Sequence, residues 1–402
     1  MAKAMRIRPP RWMRENATRR VVRALTVADG APRFVGGAVR DTVLGRTVID
    51  IDLGTPLKPE AVMERLSAAG IRAVPTGIAH GTVTAVTPKR SFEITTLRRD
   101  VETYGRHAKV AFDADWGADA QRRDFTMNAL SLDARGVIYD YVGGVGDLKA
   151  GRVRFVGDPA TRIREDVLRL LRFYRFFAHY GKGSGDRAAR AACRAEVPLL
   201  PTLSTERVAV ETLKLLAALD PLPALRLMQA DGVLKVLLPE AGGLIRLRRL
   251  VAFEPQPDPI RRLAALVARD PAAVAERLRL SGAQRDRLTA LLAKPAADLN
   301  GDCAAQRRAL YRWGPELYRD RVLLAAAARG VVRRRVAPLL RLAQGWRPPQ
   351  FAIKGRDLVA AGIAPGPQIG KLLAALEAWW IKGDFRATAA QCRAELNRRA
   401  HG

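Results

Sequence analysis

The chain has 402 residues, 48% of them hydrophobic, which suffices for two or more domains with packed cores. Its 69 Lys and Arg residues exceed its 40 Asp and Glu residues, so the formal net charge of +29 favours a polyanionic partner such as nucleic acid. Three widely spaced cysteines and the lack of an apolar run near ~18 residues argue against a disulfide framework, a structural zinc site and a membrane span.

Residues 1–30 form a basic N-terminal segment that lacks the apolar stretch of a signal peptide. Residues 1–23 contain eight basic residues and a single acidic one, Glu15. The basic residues are Lys3, Arg6, Arg8, Arg11, Arg14, Arg19, Arg20 and Arg23. Such a segment suits either a contact with nucleic acid or a disordered lead-in, and the sequence does not decide between them.

Residues 31–150 combine short alternating segments with a helical stretch, which predicts an α+β head with a small mixed sheet. The predicted strands are 33–35, 48–53, 82–87, 91–97 and 137–142, and the predicted helix is 59–69. Residues 99–123 are charged and lack a clear period, which predicts a mobile loop beside the site. We expect no metal at Asp113 and Asp115, which lie in that loop.

Two aspartates, Asp50 and Asp52, are the most informative local feature of the head. Positions i and i+2 of a strand point the same way, so both carboxylates would face one side of predicted strand 48–53. Carboxylates at this spacing suit hard divalent cations. Glu93 would add a third carboxylate if its strand is a neighbour, and an exposed strand glutamate is the alternative.

A glycine pair, Gly36 and Gly37, separates predicted strand 33–35 from a short predicted helix over 38–44. A glycine turn that leads into a helix start leaves backbone N–H groups available to a phosphate. The phosphate cradle and the aspartate pair thus fall in one strand–turn–helix–strand unit. Either feature alone is common in loops and on solvated strands, but together they favour phosphoryl or nucleotidyl transfer.

Further along the chain, Arg122 and Arg123 precede Asp124 at the predicted start of another helix, which suggests phosphate or ribose contact. From about residue 162 the pattern is helical almost throughout. A predicted continuous helix over 162–175 places Asp166 and Arg169 on one face. That pair is either a surface ion pair or a set of donors and acceptors for the edge of a nucleobase.

The next long helix is predicted to begin after Ser204, which is expected to act as its N-cap. Glu206 and Arg207 in its first turn either structure the helix or line the same pocket as Asp166. We divide the helical part of the chain into three predicted regions that together form an elongated all-helical arm. They are a neck over 151–215, a body over 216–345 and a tail over 346–402.

Taken in chain order, these stretches resemble the class II tRNA nucleotidyltransferase and bacterial poly(A) polymerase family, most closely its CCA-adding enzymes. The matching stretches are Gly36 to Asp41 with Asp50-Ile51-Asp52, Glu93 to Arg98, Arg122 to Ala129, Asp140 to Leu148, Glu165 to Arg169 and Ser204 to Arg207. The resemblance is specific over about residues 31–215 and weak over 216–345.

The resemblance implies roles for individual residues. Magnesium, with manganese as the alternative, would be held by Asp50 and Asp52, with Glu93 as a third catalytic carboxylate. The residues implied to bind the nucleotide are Gly36, Gly37, Arg40, Arg123, Asp124, Asp166, Arg169, Arg172 and Arg175. Those implied to support the pocket are Glu165, Glu206 and Arg207. The stretch from Asp140 to Asp147 would form a hinge, and residues 98–116 a flexible element.

The expected function is template-independent addition of C, C and A to the 3′ end of tRNA from CTP and ATP in the cytoplasm, with release of pyrophosphate. A CC-adding or A-adding enzyme and a poly(A) polymerase share these motifs and stay open, and an inactive RNA-binding protein is a distant alternative. The helical arm would hold the tRNA acceptor stem and elbow through phosphates. The sequence does not decide between monomer and dimer, and predicts no membrane association.

Overall fold

The computed structural model describes residues 3–401 except positions 29, 79, 80, 105, 106, 113, 268 and 269; for residues 3, 99–104, 107–112, 400 and 401 it describes the backbone alone. The chain divides into two units, Met1–Pro239 and Glu240–Gly402. The predicted head and neck both fall in the first unit. None of the helices in the described part of the chain has the length and apolarity that a bilayer crossing requires.

The strands all belong to the first unit. They are β1 (Lys3–Arg6), β2 (Arg33–Val35), β3 (Asp52–Thr55), β4 (Arg72–Gly77), β5 (Thr82–Val86), β6 (Ser91–Thr96), β7 (Arg98–Tyr104), β8 (His107–Phe112), β9 (Ser131–Leu132) and β10 (Val137–Asp140). One mixed sheet has the order β1-β10-β9-β2-β3-β6-β5-β4, and β7 pairs with β8 separately. Strands β3 and β6 run parallel, whereas the other paired strands are antiparallel.

Strand β6 shows why this sequence forms a sheet with one buried face. Phe92 and Ile94 are buried, whereas Ser91 and Glu93, which alternate with them along the strand, are exposed. This alternation follows from the period of two along a strand, and the β-branched and aromatic residues suit a half-buried pleat. The mixed sheet confirms the α+β head predicted from the sequence.

Helices complete the first unit. They are α1 (Arg11–Arg14), α2 (Asn16–Leu25), α3 (Gly37–Val43), α4 (Pro59–Ala68), α5 (Trp116–Gln121), α6 (Gly144–Ala150), α7 (Pro159–Glu165), α8 (Leu168–Tyr180), α9 (Arg187–Ala195), α10 (Thr205–Leu216), α11 (Leu222–Ala230) and α12 (Val233–Leu237). Short 3₁₀ helices cover Thr126–Asn128 and Val197–Thr202. Helix α8 carries a buried aromatic row in which Phe173 stacks on Phe155 at 6.0 Å between ring centroids.

The second unit is helical and has its own buried core. Its helices are α13 (Ile245–Val251), α14 (Pro259–Leu266), α15 (Pro271–Arg277), α16 (Gly282–Leu292), α17 (Cys303–Arg329), α18 (Arg333–Gly345), α19 (Gly355–Ala360), α20 (Pro367–Lys382) and α21 (Ala389–His401). Helix α17 is kinked at Gly314, which has a non-helical φ of 73° and directly precedes Pro315. In the core, Arg261 bonds Glu254 at 2.7 Å and Asp320 at 2.8 Å, so these buried charges are paired.

The N-terminal segment is folded, so the disordered lead-in considered above is wrong. Strand β1 pairs with β10 at the edge of the sheet. The apolar side chains of α1 and α2 are buried: Trp12, Met13, Val21 and Leu25. The Trp12 indole packs edge-on against Phe34 at 4.7 Å between ring centroids, and donates a hydrogen bond to the Thr42 hydroxyl.

Two predictions about local structure in the head are wrong. Strand 48–53 is wrong at its start, because β3 begins only at Asp52 and the residues before it are irregular, with the Ile49 side chain 82% exposed. The predicted loop over 99–123 is also wrong, since it contains β7, β8 and α5. Asp115 is the N-cap of α5 and accepts a hydrogen bond from the Gly117 N–H, whereas Asp113 lies outside the described residues.

The predicted helix after Arg122 is wrong because its backbone pairs with a distant segment instead. The Thr126 N–H donates to the Arg154 carbonyl at 3.0 Å, and the Val156 N–H donates to the Asp124 carbonyl at 3.1 Å. These bonds hold the chain extended around Phe125 and leave only a 3₁₀ turn after it.

The predicted continuous helix over 162–175 is interrupted at Asp166, which has φ −151° and ψ 103°. Helix α7 ends before it and α8 begins after Val167. The Asp166 carboxylate accepts the Leu168 N–H at 3.2 Å, so it caps the second helix locally. Ile163 and Val167 keep the apolar spacing of a helix on either side of Asp166, which is why periodicity alone did not detect the break.

Candidate active site

The carboxylates predicted to bind metal come together at the parallel pair of strands. Asp52 lies directly opposite Glu93 in the register of β3 and β6. The Glu93 N–H donates to the Ile51 carbonyl at 3.3 Å and extends this pairing by one residue. The expectation that the strand of Glu93 is a neighbour of the aspartate pair is therefore confirmed.

Asp52 is half-buried, whereas Asp50 and Glu93 are exposed. Burial raises the pKa of the Asp52 carboxyl to about 6, and the negative charges of Glu93 and Asp50 act in the same direction while Arg123 opposes them. The ionised form of Asp52 is therefore destabilised by burial and by repulsion from the neighbouring carboxylates, and additional positive charge would stabilise it. A bound cation would supply that charge.

The carboxylates do not form a complete metal cage. Among the described residues, no group of three or more His, Cys, Asp or Glu side chains could hold a metal ion by itself. Magnesium is usually bound by one or two carboxylates together with substrate phosphates, so a partial set of oxygen ligands fits this ion. The pair Asp50 and Asp52 beside Glu93 matches that requirement.

The glycine turn lies between these carboxylates and the arginines. Gly36 has φ 63°, which an L side chain rarely adopts. A Cβ atom added there would lie 3.7 Å from Asp52 Oδ2 and 4.0 Å from Arg123 Nη1. The backbone of this turn is therefore bare on the side that faces both charges, and α3 begins directly after it.

Asp119 anchors the two arginines that precede Asp124. Its Oδ1 accepts hydrogen bonds from Arg122 at 2.9 and 2.6 Å, and its Oδ2 accepts from Arg123 at 3.2 and 2.9 Å. The Asp119 side chain is buried, and Asp119 precedes Arg122 by three residues and Arg123 by four. Asp119 belongs to none of the motifs in the sequence, and only its i, i+3 and i, i+4 spacing to the arginines indicates the contact.

Asp124 connects the head to helix α8. Its carboxylate accepts two hydrogen bonds from Arg172, at 2.8 and 2.5 Å, and one from Asn128 at 3.0 Å. Burial alone would raise the pKa of Asp124, but the Arg172 charge and these hydrogen bonds hold that pKa below its ordinary value. Asn128 in turn accepts a hydrogen bond from Arg40 Nη1 at 2.8 Å, and the Arg40 guanidinium lies over the Tyr180 ring.

Asp166 and Arg169 line one cavity but have separate partners, so the surface ion pair between them, one of the two predicted readings, is wrong. Asp166 accepts two hydrogen bonds from Arg207 Nη2, at 3.0 and 2.8 Å. Arg169 Nη1 donates to Glu165 Oε2 at 2.5 Å and to the Arg162 carbonyl at 2.9 Å. These hydrogen bonds fix the Asp166 carboxylate and the Arg169 guanidinium in position.

Arg162 joins this segment to the arginine pair of the head. It donates to Glu165 at 2.5 Å, to the Arg123 carbonyl at 2.8 Å and to the Arg122 carbonyl. Because the guanidinium is buried, it fixes the backbone of that loop against α7. No role for Arg162 was predicted from the sequence.

A cavity of about 380 Å³ collects most of the predicted nucleotide-binding residues. Its lining residues are Gly36, Gly37, Arg40, Arg122, Arg123, Asp124, Asn128, Asp166, Leu168, Arg169, Arg172, Phe176 and Arg207. Cationic guanidinium groups dominate the lining. A cavity of this size and charge suits a nucleoside triphosphate, whose phosphates need cations and whose base needs donors and acceptors.

Some predicted residues lie elsewhere. Arg175 is not among the described lining residues, because its guanidinium donates to Glu211 at 2.5 Å and packs over the Phe176 ring. Glu206 is exposed on the first turn of α10. Ser204 occupies the N-cap position of that helix, as predicted, but its side chain accepts no capping hydrogen bond.

The predicted hinge is a densely hydrogen-bonded corner. Asp140 accepts the N–H groups of the four residues 142–145, at 2.8–3.1 Å. Asp147 accepts hydrogen bonds from Thr126 and Arg154, both at 2.7 Å. Hinge motion at this corner stays a prediction.

Comparison with known proteins identifies the family to which this chain belongs. Residues 32–154 match a family model described as "Poly A polymerase head domain", and residues 186–243 match one described as "Probable RNA and SrmB- binding site of polymerase A". The zebrafish (Danio rerio) protein named CCA tRNA nucleotidyltransferase 1, mitochondrial, is 34% identical over 363 residues, which cover 88% of this chain and 84% of that protein. This chain belongs to the CCA tRNA nucleotidyltransferase family.

Bacterial members of this family agree in sequence and in fold. The CCA-adding enzyme of Levilactobacillus brevis is 30% identical over 384 residues, 91% of this chain and 93% of that enzyme. The crystal structure of the Bacillus stearothermophilus CCA-adding enzyme in complex with CTP superposes with a TM-score of 0.79 at 28% identity, over 94% of this chain and 96% of that one. Since the relatives include proteins named mitochondrial, the cytoplasmic location stays a prediction.

Proposed function

We propose that this chain adds C, C and A in turn to the 3′ end of tRNA, using CTP and ATP and releasing pyrophosphate. The single observation that carries the proposal is the cavity that joins the glycine turn, the arginine pair and the Asp166–Arg207 pair next to the Asp52 and Glu93 carboxylates. Phosphate, ribose and base contacts are thus available within one site. Relatives named for CCA addition, and a structural relative described in complex with CTP, support the choice of reaction.

The triphosphate would bind where positive charge and bare backbone coincide. Gly36 and Gly37 offer a turn without side chains, and Arg40 and Arg123 supply guanidinium groups beside it. Arginine suits this role because its planar fork forms paired hydrogen bonds with phosphate oxygens. The 3′-hydroxyl oxygen of tRNA would attack the α-phosphorus as the bond to pyrophosphate breaks.

The base would meet Asp166 and Arg169 on the other side of the cavity. An acceptor and a donor held by Arg207 and Glu165 can pair with the edge of a base through side chains, so no nucleic-acid template is needed. The ribose would lie against Asp124, which Arg172 and Asn128 hold in place. Because every group is fixed by a partner, the site can discriminate by hydrogen-bond pattern.

We propose magnesium, with manganese as the alternative, as the metal of this site. Asp50 and Asp52 would hold this cation with Glu93 beside them, and the chemistry it would supply is to favour loss of the 3′-hydroxyl proton and to neutralise charge on the leaving pyrophosphate. The raised pKa of Asp52 and the incomplete set of carboxylates support this choice. We propose Asp50 and Asp52 as its ligands.

The direct experiment supplies tRNA that ends before its CCA together with CTP alone, ATP alone or both, and determines the 3′-terminal sequence and the pyrophosphate released. We expect CC with CTP alone and CCA with both nucleotides. Addition that stops at CC with both nucleotides would indicate a CC-adding enzyme, and long A tails would indicate a poly(A) polymerase. Either result, or no addition of C, would contradict the proposal.

A further inference from the structure

The N-terminal segment exposes a row of arginines that the site described above does not use. We call the exposed arginines of this segment the N-terminal arginine surface: Arg6, Arg8, Arg11, Arg14, Arg19, Arg20 and Arg23. The acid among them, Glu15, is already paired with Arg90 at 3.1 Å. The surface therefore carries a large positive charge that no neighbouring acid of this segment balances.

This surface is rigidly attached to the unit that holds the active site. Helices α1 and α2 bury Met13, Val21 and Leu25, and the Thr18 hydroxyl donates to the Trp12 carbonyl at 2.8 Å. Trp12 bonds Thr42 on α3, the helix that also carries Arg40. Side chains on such a support can bind a partner without first paying for the ordering of the chain.

Part of the surface forms a groove of about 480 Å³. Arg14, Arg19 and Arg23 line it beside the apolar side chains of Met13, Val22 and Phe34, and its described lining contains no acidic residue. Arg19 and Arg23 are one helical turn apart, so their guanidinium groups project from the same face of α2. Cations above an apolar floor suit a chain that carries phosphates and bases together.

We propose that the N-terminal arginine surface binds the phosphodiester backbone of the tRNA substrate, outside the nucleotide cavity. A lipid surface fits less well, because an interfacial helix inserts large apolar side chains, and Trp12, Met13, Val21 and Leu25 of α1 and α2 are already buried in the fold. Exposed arginines bind phosphates through paired hydrogen bonds. The proposal rests on tRNA being the substrate, as proposed above.

The test is tRNA binding by the full chain in which Arg14, Arg19 and Arg23 are all replaced by Gln. Binding of a tRNA that ends before its CCA is measured at salt concentrations from 50 to 200 mM, without nucleotides. Loss of about three phosphate contacts should reduce the slope of log affinity against log salt by roughly 2–3, and raise Kd at 50 mM about tenfold or more. Unchanged Kd and slope would overturn the proposal.

A matched control removes three exposed positive charges from elsewhere in the same unit: Arg65→Gln, Arg72→Gln and Lys89→Gln. We expect this control to change the slope by less than 1. An equal effect of the two triple variants would show a general charge effect and overturn the specific surface. A third variant with Arg14, Arg19 and Arg23 replaced by Lys keeps the charge, so it should retain the slope while Kd rises several-fold.

The thermal unfolding midpoints of all variants are measured in parallel, and midpoints like that of wild type show that the Gln variant is folded. Retained tRNA binding together with loss of binding to phosphatidylserine vesicles would overturn the choice of partner. The outcome is also separable from the proposed function. If the wild type adds CCA while the Gln variant binds tRNA normally, only the N-terminal surface is refuted; if the wild type adds nothing, the reaction itself is refuted.

Discussion

In the proposed mechanism, Asp52 is the residue on which the chemistry of the site depends most. We expect Asp52→Asn to slow nucleotide addition about 10³-fold, because loss of a metal ligand forfeits several kcal/mol of charge stabilisation. The free energy of unfolding should not fall, since a neutral amide removes the repulsion from Glu93 and the burial of charge that raise the Asp52 pKa. Single-turnover kinetics and urea unfolding measure the two effects.

Glu64→Gln is the control for this experiment, because Glu64 is an exposed acid on α4. It should add nucleotides at the wild-type rate. A rate for Asp52→Asn within tenfold of wild type would mean that the metal lies elsewhere.

Asp119 gives a second prediction at the scale of single residues. Asp119→Asn breaks a buried contact to Arg122 and Arg123, which should cost about 3 kcal/mol or more of stability. Because the freed arginines face the nucleotide cavity, we also expect the KM for CTP to rise about tenfold, more than kcat falls. A purely structural role would lower the amount of folded enzyme and leave the KM for CTP unchanged.

The sequence predicted some of these contacts and missed others for a physical reason. The alternation along β6 was enough to predict that Glu93 lies on the exposed face of the sheet. The Asp50 and Asp52 pair was likewise predicted from its i, i+2 spacing. The Asp166–Arg207 pair spans 41 residues along the chain, so no local pattern reports it. Asp166 and Arg169 were assigned to one face because a helix was assumed between them.

At the scale of elements, helix α8 holds the site through its buried aromatic face. Phe173 is fully buried and contacts the Phe155, Tyr174 and Phe177 rings. Phe173→Ala should therefore lower the free energy of unfolding by about 3–5 kcal/mol, through lost burial and a cavity. Phe173→Leu retains most of the volume and should cost less. Equal values for both variants in urea unfolding would contradict this packing.

Asp231 fastens α8 and α9 together and makes stability depend on pH. Burial alone would raise the pKa of Asp231, but hydrogen bonds from Arg190, Arg194 and Tyr174 hold that pKa below its ordinary value of 3.8. Since the folded pKa is the lower one, this contribution is present above about pH 4–5 and is lost as pH falls through the folded pKa. Asp231→Asn should remove this part of the acid sensitivity.

Urea unfolding at several pH values from 7 to 3 tests this prediction. At pH 7 the Asn variant should be about 3–5 kcal/mol less stable, because two guanidinium groups lose a buried partner. The difference from wild type should shrink as the pH falls. A difference that stays constant over this range would show that the Asp231 charge does not matter.

The predicted secondary structure was most accurate where the spacing of apolar residues kept one period, of two in a strand or about 3.6 in a helix. Strands β5 and β6 and helix α4 lie within a residue or two of their predicted positions. The segment after Arg122 failed because its backbone pairs with Arg154 and Val156, which a local pattern cannot anticipate. Strands β7 and β8 pair with each other in a stretch whose charges hide the alternation.

At the scale of the whole molecule, composition was informative about the partner and silent about its placement. A net charge of +29 indicates a polyanion, and membership of a tRNA nucleotidyltransferase family agrees with it. The sequence left residues 1–30 undecided because local charge dominated their composition. Their few apolar side chains, Trp12 above all, fold them onto the head and give the arginines a fixed surface.

The most direct test of the central claim uses tRNAs that end before the CCA, after the first C and after CC, each offered CTP or ATP separately in single-turnover reactions. The account predicts rapid addition of CTP to the first two and of ATP to the third, all abolished in Asp52→Asn. Addition of ATP to the first two at the CTP rate, or C or A tails extended beyond the CCA end, would contradict it.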